Sequence, residues 1–111
     1  MELVEYINKN RYEQTRDLQP LVKRLECEDG FSISVQASKN HCCSPNEDMH
    51  DAIGYRSFEL GYPSEMEDLI LEYAVELEEP TGTVYPYVPI EIVVALLDKH
   101  GGIKGAQSDE S

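Results

Sequence analysis

Apolar positions along this chain follow two periods, and the switch between them marks the expected elements. Phe31, Ile33, Val35 and Ala37 alternate with Ser32, Ser34 and Gln36, the two-residue period of a half-buried strand. Glu28-Asp29-Gly30 ahead of them supplies a hairpin turn, with Gly30 free to take positive φ. Residues 21–27 are the expected partner strand, with a short helix over 20–25 as the alternative. Residues 53–62 read as a third strand with Phe58, Leu60 and Tyr62 on one face, weakened or ended at Gly61. The period then becomes helical. Met66, Leu69, Ile70, Tyr73, Ala74 and Leu77 mark one buried face of a helix opened by Pro63 and Ser64, and Ser64 with Glu67 has the spacing of a capping box. Glu78-Glu79-Pro80 ends that helix, and Thr81-Gly82 turns the chain.

Residues 83–103 are the most apolar stretch and carry their own start and stop signals. Tyr85, Tyr87 and Val88 read as a strand. Pro89 suits the first turn of a helix, and Ile92, Val93, Leu96 and Leu97 form its apolar stripe. Lys99 and His100 fall in the last turn, where positive charge suits the carbonyl end of the dipole. Gly101 and Gly102 can form a left-handed cap, with Ile103 folding back on the helix. Near the start of the chain, Leu3, Val4 and Ile7 share a helical face with Tyr6 beside it, residues 12–18 fit either helix or loop, and Gln19-Pro20 is a break. The expected fold is α+β: a small antiparallel or mixed sheet of three to four strands with two helices packed on one face. It forms a single domain over residues 1–103, poorly defined over 1–20, followed by a flexible polar tail, 104–111.

Charge adds the first functional signal. Twenty-two acidic residues face nine basic ones, a formal net charge of −13. Such a chain repels phosphate backbones and anionic lipid, which argues against direct nucleic-acid or membrane binding and for a partner with a basic surface. Between Arg56 and Lys99 there is no Lys or Arg. On a helix, Glu65, Asp68, Glu72, Glu76 and Glu79 form a single row opposite the apolar face, with charges about 5–6 Å apart. That row is either a plain solvated face or a negative surface that imitates a nucleic-acid backbone for a partner, with Tyr62 as an aromatic anchor.

The remaining chemistry is sparse. No apolar run approaches the ~20 residues of a membrane span, and the N-terminus lacks a secretory pattern. Cys27, Cys42 and Cys43 are odd in number, which gives no disulfide framework and suits a reducing, intracellular setting. The polar loop of residues 38–51 holds His41, Cys42, Cys43 and His50, weak candidates for a metal site. Zinc ligands usually pair across two to four residues, so adjacent cysteines fit poorly, and no metal or cofactor is expected. The simpler reading has one cysteine packed inward and one exposed. His100 is explained by the helix C-terminus alone, and Glu59 and Asp51 are candidates for a carboxylate pair that spacing cannot place.

GFSISVQAS followed by CCSP, then ELGYPSE, then TGTVYPYVPIEIVVALLDKHGGI resembles a group of small proteins encoded by bacteriophages and prophages, over residues 30–103. The resemblance carries over no catalytic residues. It implies a setting, the cytoplasm of a bacterial host, where small acidic phage proteins include anti-CRISPR and anti-restriction inhibitors. The expected function is therefore non-catalytic: occupation of a basic surface on a host nucleic-acid-binding defence complex through Glu65, Asp68, Glu72, Glu76, Glu79 and Tyr62. The alternative is a phage housekeeping or assembly adaptor, with a homodimer allowed.

Overall fold

A computed structural model describes residues 2–13 and 20–105. Residues 1, 14–19 and 106–111, which include most of the expected polar tail, lie outside the described residues. The chain opens with α1, Leu3–Asn10, which buries Leu3 and Ile7 as their spacing requires. A short ribbon follows, β1 (Arg11–Glu13) against β2 (Pro20–Val22). The main sheet is antiparallel and in chain order: β3 (Leu25–Glu26), β4 (Ser32–Gln36), β5 (Ser57–Gly61) and β6 (Val84–Pro89). The final helix, α2, covers Ile90–Lys99. This is the expected α+β class, with a four-stranded antiparallel sheet and two main helices.

Alternation in β4 sends Ile33 and Val35 into the core, where Phe58 and Leu60 of β5 and Tyr85 and Val88 of β6 meet them. Val93, Leu96 and Leu97 of α2 close the core from the helical side. The expected partner strand over 21–27 divides in two: Pro20–Val22 pairs with β1, and only Leu25–Glu26 joins the hairpin. Between Phe58 and Leu60 one residue of β5, Glu59, opposes two of β6, Pro86 and Tyr87, since Phe58 faces Val88 and Leu60 faces Tyr85. The extra residue bulges β6 and places Tyr87 at φ +55, with its N–H given to the Cys42 carbonyl at 3.0 Å.

The end of α2 follows its signals. Gly101 and Gly102 take φ of +90 and +89, and the Gly102 N–H reaches the Leu97 carbonyl at 2.8 Å. Ile103 is buried and bridges to Cys27, and the Lys104 N–H donates to the Glu26 carbonyl at 2.8 Å. The outgoing chain thereby covers the β3 edge of the sheet.

One expected element is corrected. Residues 64–77 do not form an α-helix: a 3-10 helix covers Asp68–Tyr73, and irregular backbone flanks it. The second helix of the pair is α1, which shares a groove with α2 lined by Leu3, Val4, Ile90 and Val94. Ser64 caps no helix, because its Oγ accepts the Ser32 N–H at 3.0 Å. The backbone amides that an α-helix would use internally find tertiary acceptors instead, Val75 N–H on the Val84 carbonyl and Glu76 N–H on Thr83 Oγ1, each at 3.0 Å. An α-helix would also align Glu65, Asp68, Glu72 and Glu76 at repelling spacings with no cation between them.

Candidate partner-binding surface

The acidic segment between β5 and β6 is irregular in backbone but held at both ends and in the middle. At its entry, Arg24 donates from Nε to Ser32 Oγ at 3.0 Å and from Nη2 to the Tyr62 carbonyl at 2.6 Å. The Ser64 N–H returns to the Ser32 carbonyl at 2.8 Å. Tyr62 is left at φ +52, a conformation that costs a bulky residue about 1–3 kcal/mol and persists only where surrounding contacts impose it. At the exit, the Tyr85 hydroxyl donates to the Pro80 carbonyl. In the middle, Ile70 is fully buried.

The central tie is Glu67. Its side chain is 2% exposed, in a segment where the other carboxylates face solvent. Oε2 accepts from Lys99 Nζ at 2.8 Å and from the Leu69 N–H at 3.1 Å. Oε1 lies 2.7 Å from His100 Nε2, and His100 Nδ1 lies 2.7 Å from Asp29 Oδ2. The imidazole stacks on Phe31, with ring centroids 4.0 Å apart. A neutral imidazole has one N–H, and here both nitrogens face carboxylate oxygens, so the imidazolium satisfies the site. Burial opposes that charge, but the hydrogen bonds to Glu67 and Asp29 outweigh it and raise the His100 pKa. For Glu67 the balance likewise ends on the charged side: burial pushes its pKa up, and Lys99 and His100 pull it further down. With both nitrogens held by carboxylates, the imidazolium serves as a structural charge that joins Asp29 to Glu67.

The carboxylates proposed from sequence are exposed but not in one helical row. Glu65, Asp68, Glu72, Glu76 and Glu79 are all exposed, as is Glu78, and none is in an ion pair among the described residues. Residues expected in the core share the surface with them. Met66 is 58% exposed and Leu77 60%, beside Val75 at 66%, and Leu69 and Tyr62 are exposed too. Of the expected buried face only Ile70 is fully buried, with Tyr73 and Ala74 partly so. The segment thus presents carboxylates and apolar groups interleaved.

The 38–51 loop divides its candidates. Cys43 is buried, its thiol against the Ser38 carbonyl at 3.2 Å, and Cys42 is exposed. His41 Nδ1 contacts Ser38 Oγ at 2.7 Å, while the exposed His50 offers its carbonyl to Arg11 at 3.4 Å. Among the described residues no three His, Cys, Asp or Glu side chains converge as a metal site. Glu59 and Asp51 are engaged separately: Glu59 Oε1 accepts the Cys42 N–H at 2.7 Å, whereas Asp51 Oδ1 accepts from Asn8 and the Ile53 N–H, each at 3.0 Å. Burial, with Asp29 and Glu26 nearby, pushes the Cys27 thiol up to about 11, so it packs as an apolar group.

Two features escaped the sequence. The Asp29–His100–Glu67 chain joins residues 71 and 33 positions apart, which no local pattern marks. The exposure of Met66 and Leu77 follows from the missing helix. No described helix is long and apolar enough to cross a membrane. No family model, no curated protein and no solved structure matches the chain.

Proposed function

We propose that this protein is a non-catalytic binding protein whose segment 62–79 docks on a basic partner surface that also offers apolar pockets. The observation that carries the reading is the interleaving itself. Six exposed carboxylates, none in an ion pair among the described residues, share one anchored segment with Tyr62, Met66, Leu69, Val75 and Leu77. Unpaired carboxylates steer a basic surface inward and fix its register, and the apolar side chains supply area that loses water on contact. A simple imitation of a phosphate backbone needs the charge and not the apolar groups, so this reading requires a basic surface that carries apolar pockets beside its cations. With the resemblance to phage proteins, the partner class this reading names is a basic, nucleic-acid-binding surface of a host defence complex.

The test is a triple charge reversal, Glu65→Lys, Glu72→Lys and Glu76→Lys, with capture of partners from host lysate followed by binding to the isolated partner. The reversed protein is expected to lose the partner while its melting temperature stays level or rises, and wild-type binding should weaken steeply with salt. A reversed protein that binds the same partner with unchanged affinity overturns the reading. The groove between α1 and α2, with exposed Val94, favours a second reading as a homodimeric adaptor. Sedimentation showing a dimer that is insensitive to salt and is broken by Val94→Asp supports that reading.

A further inference from the structure

A cleft of about 300 Å³ opens beside the entry of the acidic segment, lined by strands β4 and β5, the first residue of β6 and the 38–51 loop. We propose that this cleft receives an arginine side chain of the basic partner, with the Glu59 carboxylate as its counter-charge; the proposal rests on the docking role assigned to segment 62–79.

Among the described residues of the lining, Glu59 is the one carboxylate, and none is a lysine or arginine. Its Oε1 is engaged by the Cys42 N–H at 2.7 Å, which fixes the carboxylate and leaves Oε2 available. His41, also in the lining, does not compete with an incoming cation: burial lowers its pKa, against the pull of Glu59 and Asp48, so it is neutral at pH 7. Ser34 Oγ, which accepts from Gln36 Nε2 at 3.0 Å, keeps a second lone pair for a further donor.

The shape favours guanidinium over a compact ammonium. Leu21, Gly61 and Val84 give the floor an apolar character suited to a methylene stem. Gly61 makes the room: a Cβ built there meets the Val84 side chain at 3.4 Å and Ser34 Cβ at 3.9 Å, so glycine leaves open what any other residue would fill. Tyr62 stands exposed at the rim, held by the Arg24 bond to its carbonyl, where its ring can cover a planar cation. Because Tyr62 also begins the acidic segment, cleft and segment form one continuous surface.

The probe is acetyl-arginine amide, with its neutral isostere acetyl-citrulline amide as control, titrated into the full chain and followed by amide NMR shifts. Arginine amide is expected to move the Cys42, Glu59 and Gly61 resonances saturably, and citrulline amide to leave them in place. Glu59→Gln retains an acceptor for Cys42 but not the charge, and should weaken arginine binding about tenfold. Gly61→Ala fills the floor by ordinary van der Waals contact and should weaken it comparably while keeping the spectrum of the fold. Equal shifts with citrulline, or Glu59→Gln and Gly61→Ala binding like wild type, overturn the proposal. A protein that binds arginine amide in the cleft but keeps its partner after the charge reversal fails the docking role alone. Loss of the partner on charge reversal with unmoved cleft resonances fails the cleft alone.

Discussion

At the scale of single residues, Glu67 decides most about this molecule. From sequence it completes a capping box at the start of a helix; in the fold it is buried and tied to Lys99, His100 and the Leu69 N–H. Glu67→Ala leaves two cations facing an empty polar site, and chemical denaturation should show a loss of about 2–4 kcal/mol. The same contacts set a pH dependence. His100 has its pKa raised above the ordinary 6.5, so its contribution is complete below pH 6.5 and is lost as pH rises through the raised value. Glu67 and Asp29 have theirs lowered from 4.5 and 3.8, so their contributions are complete above those values and are lost as pH falls through the depressed ones. Lys99, the remaining charged neighbour, stays protonated throughout, its pKa raised by the bond to Glu67. The network is therefore at full strength between about pH 4.5 and 6.5. Stability curves of wild type and His100→Asn should converge as pH climbs above that window. A constant difference up to pH 9 means that His100 does not hold its proton through these contacts.

At the scale of elements, the informative one is the segment that is not a helix. Alternation in β4 and the proline and glycine signals around α2 were legible, because there a local period and the core face agree, whereas residues 1–20 read as poorly defined although Leu3 and Ile7 do share a buried face of α1. Residues 64–77 have a helical period that tertiary contacts override: Ser64 turns to β4, Glu67 turns inward to α2, and residues 75 and 76 bond to residues 83 and 84 beside β6. The period there records no buried face, and substitutions should separate accordingly. Ile70→Ala should cost about 2–4 kcal/mol and speed proteolysis within 63–80, since its side chain is the segment's fully buried apolar anchor. Met66→Ser and Leu77→Ser should each stay within about 0.5 kcal/mol of wild type, because each side chain is already more than half exposed. A real α-helix with Met66 and Leu77 inside would give large losses at all three. Of the candidate site, the carboxylates were legible from composition alone. The apolar groups beside them were misassigned for the reason that hid the His100 network, since each depends on contacts between distant parts of the chain.

At the scale of the whole molecule, a charge of −13 makes the fold and the proposed complex respond to salt in opposite directions. The unpaired carboxylates of 62–79 repel one another and the rest of the chain across solvent, where the screening length shrinks from about 30 Å at 0.01 M salt to about 3 Å at 1 M. Added salt should then raise the melting temperature, by about 5 °C for each kcal/mol of repulsion removed. The short contacts of the buried Glu67 with His100 and with the half-exposed Lys99 are screened less, so most of the gain comes from the surface. The same ions weaken attraction to a basic partner. The triple reversal gives the internal control. Three reversals, each worth two charges, bring −13 to −7, so that variant should melt higher than wild type at low salt and gain less from added salt. If its melting temperature at low salt is unchanged and its salt response parallels wild type, the carboxylates are not strained against one another. The surface would then store no repulsion for a basic partner to relieve on binding, and the electrostatic basis for docking through this segment would be gone.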